Sequence, residues 1–229
     1  MGLEMLNIVT IDGPAASGKS TVAGLVAEKL GYAFLDTGAM YRAIAFGALE
    51  NGIPAEESGG LHAYLEDADL EIHYQNKVMH LVLNGRDITQ LIRHKDMGQH
   101  ASDYSKLHSV RVFCTDLQRR LGQSGKLVCE GRDMGTVVFP GARWKFFLTA
   151  SLEERAIRRW RELKTKGENI SLEEIKNSLM LRDLQDSNRA LAPLKPADDA
   201  HIIDTTEMQI DGVVEKIVEV VFESIEKKS

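Results

Sequence analysis

The stretch that decides the fold of this chain reads Ile8-Val9-Thr10-Ile11-Asp12-Gly13-Pro14-Ala15-Ala16-Ser17-Gly18-Lys19-Ser20-Thr21. An apolar run leads into the pattern Gly-x-x-x-x-Gly-Lys-Ser, and a helical pattern of apolar residues follows it. This order of strand, glycine-rich loop and helix is typical of a phosphate-binding loop. The stretch therefore predicts a nucleotide-binding α/β domain.

The chemistry of this loop comes from its backbone and from two side chains. Glycines let the backbone curl so that its N–H groups point at phosphate oxygens, and the helix N-terminus adds partial positive charge. Lys19 can reach the β- and γ-phosphates, and the Ser20 hydroxyl can bind Mg²⁺. The alternative is a glycine-rich turn that matches the pattern by chance, but the strand, the helix and the Lys-Ser pair all stand in register.

The composition is that of an ordinary globular protein. The chain has 229 residues, 43% of them hydrophobic and 27% charged, and a formal net charge of −6. That length suffices for one large domain, or for one domain with an insert. Cys114 and Cys129 lie in apolar stretches and form no Cys-x-x-Cys pair, which predicts buried reduced thiols.

Neither membrane insertion nor nucleic-acid binding is indicated. Residues 1–7 lack a basic segment, and no stretch approaches about eighteen consecutive apolar residues. The acidic charge balance argues against general nucleic-acid binding. We therefore expect a soluble, cytoplasmic protein, and a monomer, because no heptad pattern or large apolar patch can be read from the sequence.

Five short apolar runs predict buried parallel strands, because helical patterns alternate with them as in an α/β sheet. These runs are Asn7–Ile11, Ala33–Leu35, Leu127–Cys129, Lys145–Thr149 and His201–Ile203. Helices are predicted over 18–30, 40–50, 106–121 and 211–226, the third with an apolar face made by Leu107, Val110, Cys114, Leu117 and Leu121. Capping boxes at Ser151–Glu154 and Ser171–Glu174 predict two more helices.

One region breaks this alternation. Residues 69–89 contain two short segments of alternating polarity, with turn residues at Gln75-Asn76-Lys77 and at Asn84-Gly85. This pattern is typical of antiparallel strands. The predicted division is therefore a core domain over 1–60 and 105–229 and a small antiparallel insert over 61–104.

Two loops that follow predicted strands carry candidate site residues, because ligands bind at the carboxyl edge of a parallel sheet. The first, residues 36–42, ends in Arg42, which either binds an anion or is a surface arginine behind a capping Thr37. The second, residues 130–136, opens with Glu130 in the manner of a Walker B strand, whose carboxylate supports Mg²⁺. Arg132-Asp133 then offers a donor beside an acceptor, or else a purely structural ion pair.

Two runs of charge complete the candidate site. The first comprises Arg155, Arg158, Arg159, Arg161, Lys164 and Lys166, with only Glu162 of opposite sign among them. A solvated helix face is one interpretation, and a phosphate clamp or mobile lid over about 153–170 is the one we favour. The second run, Arg182, Asp186 and Arg189, lies on one helix face by spacing and forms either ligand contacts or a self-contained ion-pair stripe.

Together these stretches resemble bacterial cytidylate kinases, the CMP/dCMP kinase branch of the nucleoside monophosphate kinases. Residues 11–21, 36–42, 130–140 and 182–193 carry the resemblance in the family's order, and the run Gly131–Pro140 is more specific than the phosphate loop. The resemblance implies a P-loop three-layer α/β fold with a five-stranded parallel sheet, the antiparallel insert and a helical lid. It also implies the reaction ATP + CMP → ADP + CDP, with Mg²⁺ and with dCMP as a second acceptor.

The resemblance assigns roles to single residues. The implied catalytic residues are Lys19, Arg132, Arg155 and Arg159. The implied ATP-binding residues are Gly13, Pro14, Ala15, Ala16, Ser17, Gly18, Lys19, Ser20, Thr21 and Arg158. The implied CMP-binding residues are Thr37, Arg42, Ser102, Arg111, Arg132, Asp133, Arg182, Asp186 and Arg189. Among these, Ser102, Arg111 and Asp133 would read the cytosine, and Arg42 and Arg132 would hold the monophosphate.

Two positions depart from the family pattern. Thr37 stands where the family often has serine, which keeps the hydroxyl and adds a methyl group. Glu130 stands where some members have aspartate, so that its support of Mg²⁺, shared with the Ser20 hydroxyl, is longer-armed or passes through water.

Three other classes of nucleotide-binding protein are alternatives to a nucleoside monophosphate kinase. A GTPase-type switch needs Asp-x-x-Gly and Asn-Lys-x-Asp, yet no aspartate precedes a glycine by three residues, and Asn76-Lys77 is followed by Val78-Met79. An ABC-type ATPase is indicated only by Ser58-Gly59-Gly60, where a simple loop suffices. A kinase for another small acceptor, such as UMP or a metabolite, stays open.

Overall fold

A computed structural model describes residues 6–75, 78–94 and 96–226. The strands are β1 (Leu6–Asp12), β2 (Ala33–Asp36), β3 (Leu70–Gln75), β4 (Val78–Leu83), β5 (Arg86–Asp87), β6 (Leu127–Gly131), β7 (Ala142–Thr149) and β8 (His201–Asp204). The helices are α1 (Lys19–Leu30), α2 (Thr37–Glu50), α3 (Gly59–Asp67), α4 (Met97–Tyr104), α5 (His108–Gly122), α6 (Leu152–Thr165), α7 (Leu172–Asn188) and α8 (Ile210–Glu226). A 3₁₀ turn (Leu91–Arg93) and a π-helical turn (Met134–Val138) complete the elements.

The central sheet has five strands in the order β2-β6-β1-β7-β8. Strand β1 pairs in parallel with β6 and β7, and β7 pairs in parallel with β8. Ile8, Val9 and Ile11 of β1 are fully buried, as expected of a parallel strand that is covered on both faces. All five predicted strands belong to this one sheet, but the edge strands β2 and β8 are each buried only at one residue, Leu35 and Ile203. The carboxyl ends of β1 and β6 lie side by side at Asp12 and Gly131.

The chain divides into two compact units. One comprises the residues up to Ala33 and those from Gly125 onward, and the other is Phe34–Ser124. The first unit contains the phosphate loop, β6 to β8 and α6 to α8, and the second contains α2 to α5 and the antiparallel sheet. The functional division into a core over 1–60 and 105–229 and an insert over 61–104 stays a prediction.

The antiparallel sheet of the second unit has the order β3-β4-β5. Asn84 and Gly85 adopt φ values of 50° and 77° between β4 and β5, the left-handed pair that a two-residue hairpin turn requires. This predicted turn is confirmed. Of the other predicted turn, Gln75 ends β3, whereas Asn76 and Lys77 lie outside the described residues.

The two predicted helix caps differ. At α7, Ser171 and Glu174 exchange both hydrogen bonds of a capping box, as predicted. At α6, Ser151 accepts from the Glu154 N–H, but the Glu154 carboxylate accepts from Arg158 instead of returning to Ser151. The Ser151 N–H donates to the Thr206 hydroxyl. Only one of the two hydrogen bonds of the capping box predicted at α6 forms, and the prediction of the other is wrong. Arg158 binds the Glu154 carboxylate and Thr206 binds the Ser151 N–H, so these two groups do not pair with each other.

The buried face of α5 also differs from its apolar pattern. Val110 and Cys114 are fully buried as predicted, but the stripe continues through Arg111 and Gln118, while Leu117 and Leu121 are only partly covered. Cys114 and Cys129 are both buried thiols outside any disulfide among the described residues, as predicted. In the part of the chain that the structure describes, no helix is long and apolar enough to cross a membrane.

Candidate active site

The phosphate loop joins β1 to α1 through a backbone that few residues adopt. Gly13 and Gly18 have φ values of 153° and 86°, and Ala16 has φ 59°. A Cβ atom at Gly13 would lie 2.1 Å from the Leu148 carbonyl oxygen of β7. Only glycine fits where the loop passes so close to another backbone. The predicted order of strand, loop and helix is confirmed.

Lys19 and Ser20 open α1 and meet the end of β6. The Lys19 ammonium donates to the Pro14 carbonyl oxygen at 2.8 Å and lies 4.0 Å from Glu130 Oε2. The Ser20 hydroxyl donates to Glu130 Oε1 at 2.7 Å. Burial is the largest cause that lowers the pKa of Lys19, to about 7; Arg132 lowers it further, and Glu130 raises it. An anionic phosphate beside Lys19 would favour its charged form.

Ser20 and Glu130 suit a magnesium ion. A hydroxyl and a carboxylate supply the hard oxygen ligands that Mg²⁺ prefers, and the hydrogen bond between them brings both to one point. Among the described residues, no group of three or more His, Cys, Asp or Glu side chains could hold a metal. Proteins commonly bind Mg²⁺ through one or two side chains, with nucleotide phosphates and water as the other ligands. The residues present fit that arrangement.

Past Glu130, the chain forms two ion pairs with the end of α7. Arg132 Nε donates to Asp186 Oδ2 at 2.8 Å, and Arg189 Nη2 lies 3.5 Å from Asp133 Oδ1. Burial is the largest single influence and opposes the charges of both Arg132 and Asp186, but their mutual attraction and the other charges around them together outweigh it. The pKa of Arg132 is therefore raised and that of Asp186 lowered.

The second charge run thus reaches beyond its own helix. Asp186 and Arg189 contact the residues that follow β6, as the site prediction requires. Arg182 is half-buried on α7, and its positive charge lowers the pKa of both Lys19 and Asp186. The first unit therefore brings together the phosphate loop, Arg132-Asp133 and the charged end of α7.

Arg155 supports the phosphate loop. Its side chain is buried, and its guanidinium donates to the carbonyl oxygens of Ala150 at 3.0 Å and Ala15 at 3.2 Å. A third nitrogen lies 2.7 Å from the Asp183 carboxylate of α7. Ala15 also packs in an apolar cluster with Ala156 and residues of α6 and α7. The structure thus ties the predicted lid arginine to the loop backbone, and its catalytic role stays a prediction.

The neighbouring arginines have different partners. Arg158 Nε donates to Glu154 at 2.9 Å, and Arg158 Nη1 donates to the Thr205 hydroxyl at 3.0 Å. Arg159 donates to Glu162 at 2.7 Å on the exposed side of α6. One helical face by sequence spacing therefore splits into a buried, a half-buried and a more exposed arginine.

The second unit holds the residues predicted after β2. The Asp36 carboxylate accepts from the Ala39 N–H at 2.9 Å and so caps α2, and it also accepts from Arg42 Nη2 at 2.9 Å. Thr37, in the first turn of α2, is buried. Arg42 borders a pocket of about 230 Å³ within this unit. Its lining residues are Phe34, Asp36, Ala39, Arg42, Val78, Met79, Leu81, Thr89, Ile92 and Arg93.

Ser102 and Arg111 lie together in the same unit. Both are buried, and Ser105 links them, because its hydroxyl donates to the Ser102 carbonyl oxygen at 2.9 Å and its own carbonyl accepts from Arg111 at 3.4 Å. The Arg111 guanidinium lies 5.7 Å from the centre of the Tyr41 ring, within the range of a cation–π interaction. Tyr41 is the neighbour of Arg42 in α2, so these predicted substrate residues share one region.

Three residues of the site escaped the sequence analysis. The phosphate-loop motif gives Asp12 no separate role, yet its carboxylate accepts from two backbone N–H groups of the loop after β6. Asp183 binds Arg155, and Thr205 binds Arg158. A carboxylate directly after a buried strand was the one available signal for Asp12, whereas the partners of Arg155 and Arg158 lie in distant segments.

Two known proteins of similar sequence are both named cytidylate kinase. A cytidylate kinase of Carboxydothermus hydrogenoformans is 45% identical over 213 residues, which cover 93% of this chain and 96% of that protein. A cytidylate kinase of Thermotoga neapolitana is 47% identical over 216 residues, which cover 94% and 96%.

Comparisons with a solved structure and with a protein family give results consistent with these two relatives. A solved structure of an uncharacterized protein from Eubacterium ventriosum matches with a TM-score of 0.52 at 10% identity, over 96% of this chain and 99% of that one, which shows a shared fold and nothing more. The family described as cytidylate kinase matches residues 9–223. With that match and two relatives above 40% identity over nearly the whole chain, this chain belongs to the cytidylate kinase family.

Proposed function

We propose that this chain transfers the γ-phosphoryl group of ATP to CMP and dCMP, which gives CDP or dCDP and ADP. Family membership and the names of the relatives support this activity. The observation that carries it is the juxtaposition, in one unit, of the phosphate loop with Arg132-Asp133 and the charged end of α7. The carboxyl edge of the sheet thereby presents the cations Lys19 and Arg132 to phosphate groups and the Asp133 carboxylate to the nucleobase.

Binding of ATP rests on the loop from Gly13 to Thr21. Its curled backbone offers N–H groups to phosphate oxygens, and the start of α1 adds partial positive charge. Lys19, which the Pro14 carbonyl and Glu130 hold in place, pairs with the β- and γ-phosphates. A bound Mg²⁺, held by Ser20 and Glu130, would neutralise phosphate charge.

Transfer needs alignment and charge more than acid–base chemistry. The acceptor is a phosphate oxygen that is already ionised at neutral pH, so the reaction needs no general base. Phosphoryl transfer passes through a loose transition state that positioning and positive charge stabilise. Arg132 and Arg42 are assigned to the acceptor phosphate, and Arg155, Arg158 and Arg159 to the donor side. A lid that closes over about 153–170 would exclude water from the γ-phosphate.

Recognition of the base rests on Asp133. Cytosine presents an amino donor at the position where uracil presents a carbonyl acceptor, and a carboxylate accepts from the first and repels the second. Asp133 is buried, and the cation of Arg189 holds it in place. Ser102 and Arg111 are the proposed further contacts to the base, with Thr37, Arg182, Asp186 and Arg189 around the sugar and phosphate.

A panel of acceptors tests the proposal. Purified protein with ATP and Mg²⁺ is supplied in turn with CMP, dCMP, UMP, AMP and GMP, and ADP release is recorded while the nucleoside diphosphate is identified by ion-exchange chromatography. We expect turnover with CMP and dCMP far above that with the others. ADP release without an acceptor, or stronger turnover with UMP, would refute the assignment. A monomeric state and a cytoplasmic location stay predictions from the sequence.

A further inference from the structure

Asp12 is a buried carboxylate that the reaction as proposed does not use. It is the last residue of β1 and is 4% exposed. One of its oxygens accepts from the Met134 N–H at 2.9 Å and the other from the Gly135 N–H at 2.8 Å. These two residues directly follow Arg132 and Asp133, so the carboxylate holds the backbone on which the acceptor-binding residues stand.

The segment held by Asp12 is an unusual turn. Met134–Val138 forms a π-helical turn, in which the Val138 N–H donates to the Asp133 carbonyl oxygen at 3.1 Å and the Phe139 N–H donates to that of Met134 at 2.7 Å. Single π turns are rare and less regular than α-helical ones. Its first N–H groups have no acceptor inside the turn, and Asp12 supplies acceptors for two of them.

The turn also packs tightly against β1. A Cβ atom at Gly135 would lie 3.0 Å from Thr10 Oγ1 and 3.3 Å from Lys145 Cδ. Thr10 Oγ1 has no hydrogen-bond partner among the described residues, so Thr10 contributes packing while Asp12 contributes the polar anchor. The position of the turn is therefore set by close contact on one side and by two hydrogen bonds on the other.

Opposing influences act on the pKa of Asp12. Burial is the largest cause that raises its pKa, to about 7; the N–H groups of Gly135 and Met134 lower it, the Asp133 charge raises it and Lys19 lowers it. A carboxylate kept in such surroundings needs both N–H donors, because a buried acceptor without a partner costs free energy. Loss of the Asp12 carboxylate would therefore leave the Met134 and Gly135 N–H groups without these acceptors.

We propose that Asp12 is a positioning residue for the acceptor nucleotide: by holding the Met134 and Gly135 N–H groups, it fixes the orientation of the Arg132 and Asp133 side chains, which follow β6. This inference rests on the proposed function, in which those two side chains bind CMP. Asp12 acts through the turn and touches neither nucleotide.

The test compares Asp12→Asn with Thr10→Val, a variant of similar size on the same strand that replaces the unpartnered hydroxyl with a methyl group and keeps the packing. The asparagine oxygen can accept one N–H, but its amide nitrogen then faces the other donor. We expect Asp12→Asn to lower kcat/KM for CMP roughly ten- to hundredfold while the KM for ATP changes less than about threefold, because one buried hydrogen bond is lost on the acceptor side. Thr10→Val should leave both parameters near those of the parent protein.

Hydrogen exchange provides a readout that does not depend on turnover. The amides of Met134 and Gly135 should exchange faster in Asp12→Asn than in the parent protein, and those of α1 should not change. Gly135→Ala gives a second route, because its new Cβ displaces the turn while Asp12 stays intact. It should raise the KM for CMP as well, and adding Thr10→Ala should restore part of the loss by removing the nearest atom.

The outcomes separate the two proposals. A parent protein that does not phosphorylate CMP refutes the proposed function, and the positioning role falls with it. An active parent protein whose CMP parameters are unchanged in both Asp12→Asn and Gly135→Ala refutes only the positioning role. An equal loss for CMP and ATP would show that Asp12 acts on the phosphate loop instead, and it would also refute the role stated here.

Discussion

The phosphate loop and the Arg132–Asp133 turn leave neighbouring strands at the same edge of one sheet, yet they are held in different ways. The loop is fixed mainly from within, by the Lys19 ammonium on the Pro14 carbonyl and by glycines at left-handed or crowded positions, with Arg155 as a distant support on the Ala15 carbonyl. The turn is fixed by side chains far away in sequence: Asp12, Asp186 and Arg189. A site can thus combine a locally encoded part with one that depends on the whole domain.

The difference has consequences for mutation. In the loop, changes at the side chain that contacts phosphate or at a glycine should be severe, and most other side chains matter little because the backbone binds. In the turn, changes at distant partners should shift substrate preference without removing catalysis. Three substitutions test this contrast, and a fourth compares the buried Asp12 carboxylate with an exposed one; they follow in order of expected effect.

Lys19→Ala tests the loop directly. Removing a preorganised charge from phosphate in a buried site should lower kcat by about 10²–10³-fold, with the protein still folded. Steady-state turnover of CMP, with circular dichroism to check folding, measures the effect. Lys29→Ala, on the exposed last turn of α1, is the matched control and should have parent activity. Near-normal turnover of Lys19→Ala would contradict the proposed phosphate site.

Asp133→Asn tests the turn. An amide can present either a donor or an acceptor to the base, so the preference for CMP over UMP should fall roughly ten- to hundredfold. The KM for ATP should stay close to that of the parent, because the loop keeps its own contacts. Rates with both monophosphates give the ratio. If the ratio does not move, Asp133 does not read the base.

Gly13→Ala tests the crowding of the loop against β7. Its Cβ would lie 2.1 Å from the Leu148 carbonyl, so the backbone must shift, and we expect a loss of about 1–3 kcal/mol in the free energy of unfolding. Gly24→Ala is the control: no described atom lies within 4 Å of its added Cβ inside α1, and it should gain about 0.5–1 kcal/mol. Urea unfolding measures both. A Gly13→Ala protein as stable as the parent would show that the loop yields easily.

Glu57→Gln tests how much an exposed carboxylate that accepts from a backbone N–H contributes to stability, for comparison with the buried carboxylate of Asp12. Glu57 also accepts from a backbone N–H, that of Ser109 at 3.0 Å, and from the Ser109 hydroxyl at 2.9 Å, but it is largely exposed. Hydrogen bonding to the Ser109 N–H is the largest cause that lowers the pKa of Glu57 from 4.5 to about 2. Exposure limits the expected loss in Glu57→Gln to below about 1 kcal/mol.

The way in which the contribution of Glu57 to the free energy of unfolding depends on pH follows from its shifted pKa. A lowered folded-state pKa gives stability that is present above pH 4.5 and lost as the pH falls toward 2. The deficit of Glu57→Gln in urea unfolding should therefore be visible at pH 7 and should shrink at pH 3. The raised pKa of Asp12 has the opposite sign, since its stability is complete below pH 3.8 and declines as the pH rises toward 7. A deficit at Glu57 that does not depend on pH would rule out its charge as the cause.

Most of the fold could be predicted because its signals are local. The five parallel strands, the helix after the phosphate loop and the Asn84-Gly85 turn follow from apolar runs, glycine positions and turn chemistry within a few residues. The apolar runs overestimate burial for the edge strands β2 and β8, because an apolar run does not show its place in the sheet. The half-formed capping box at α6 failed for the converse reason, because Arg158 and Thr206 compete for its groups from outside the motif.

The candidate site could be predicted in its residues more than in its contacts. Lys19, Ser20 and Glu130 come together as their motifs indicate. The pairing of Arg132 with Asp186 and of Arg155 with Ala15 and Asp183 could not be predicted. The sequence does not show which partner a charged side chain binds. The packing of α6 and α7 on the loop decides which carboxylate or carbonyl each arginine contacts.

Arg155 has a consequence for exchanging segments between related proteins. One guanidinium serves the carbonyl of Ala15, 140 positions earlier in the chain, and the carboxylate of Asp183 on α7. The carbonyl is present whatever side chain stands at position 15, whereas the carboxylate is not. A chimaera that imports α6 without α7 would therefore keep the carbonyl contacts of Arg155 but leave its buried cation without the Asp183 counter-ion, so the two helices should be exchanged together.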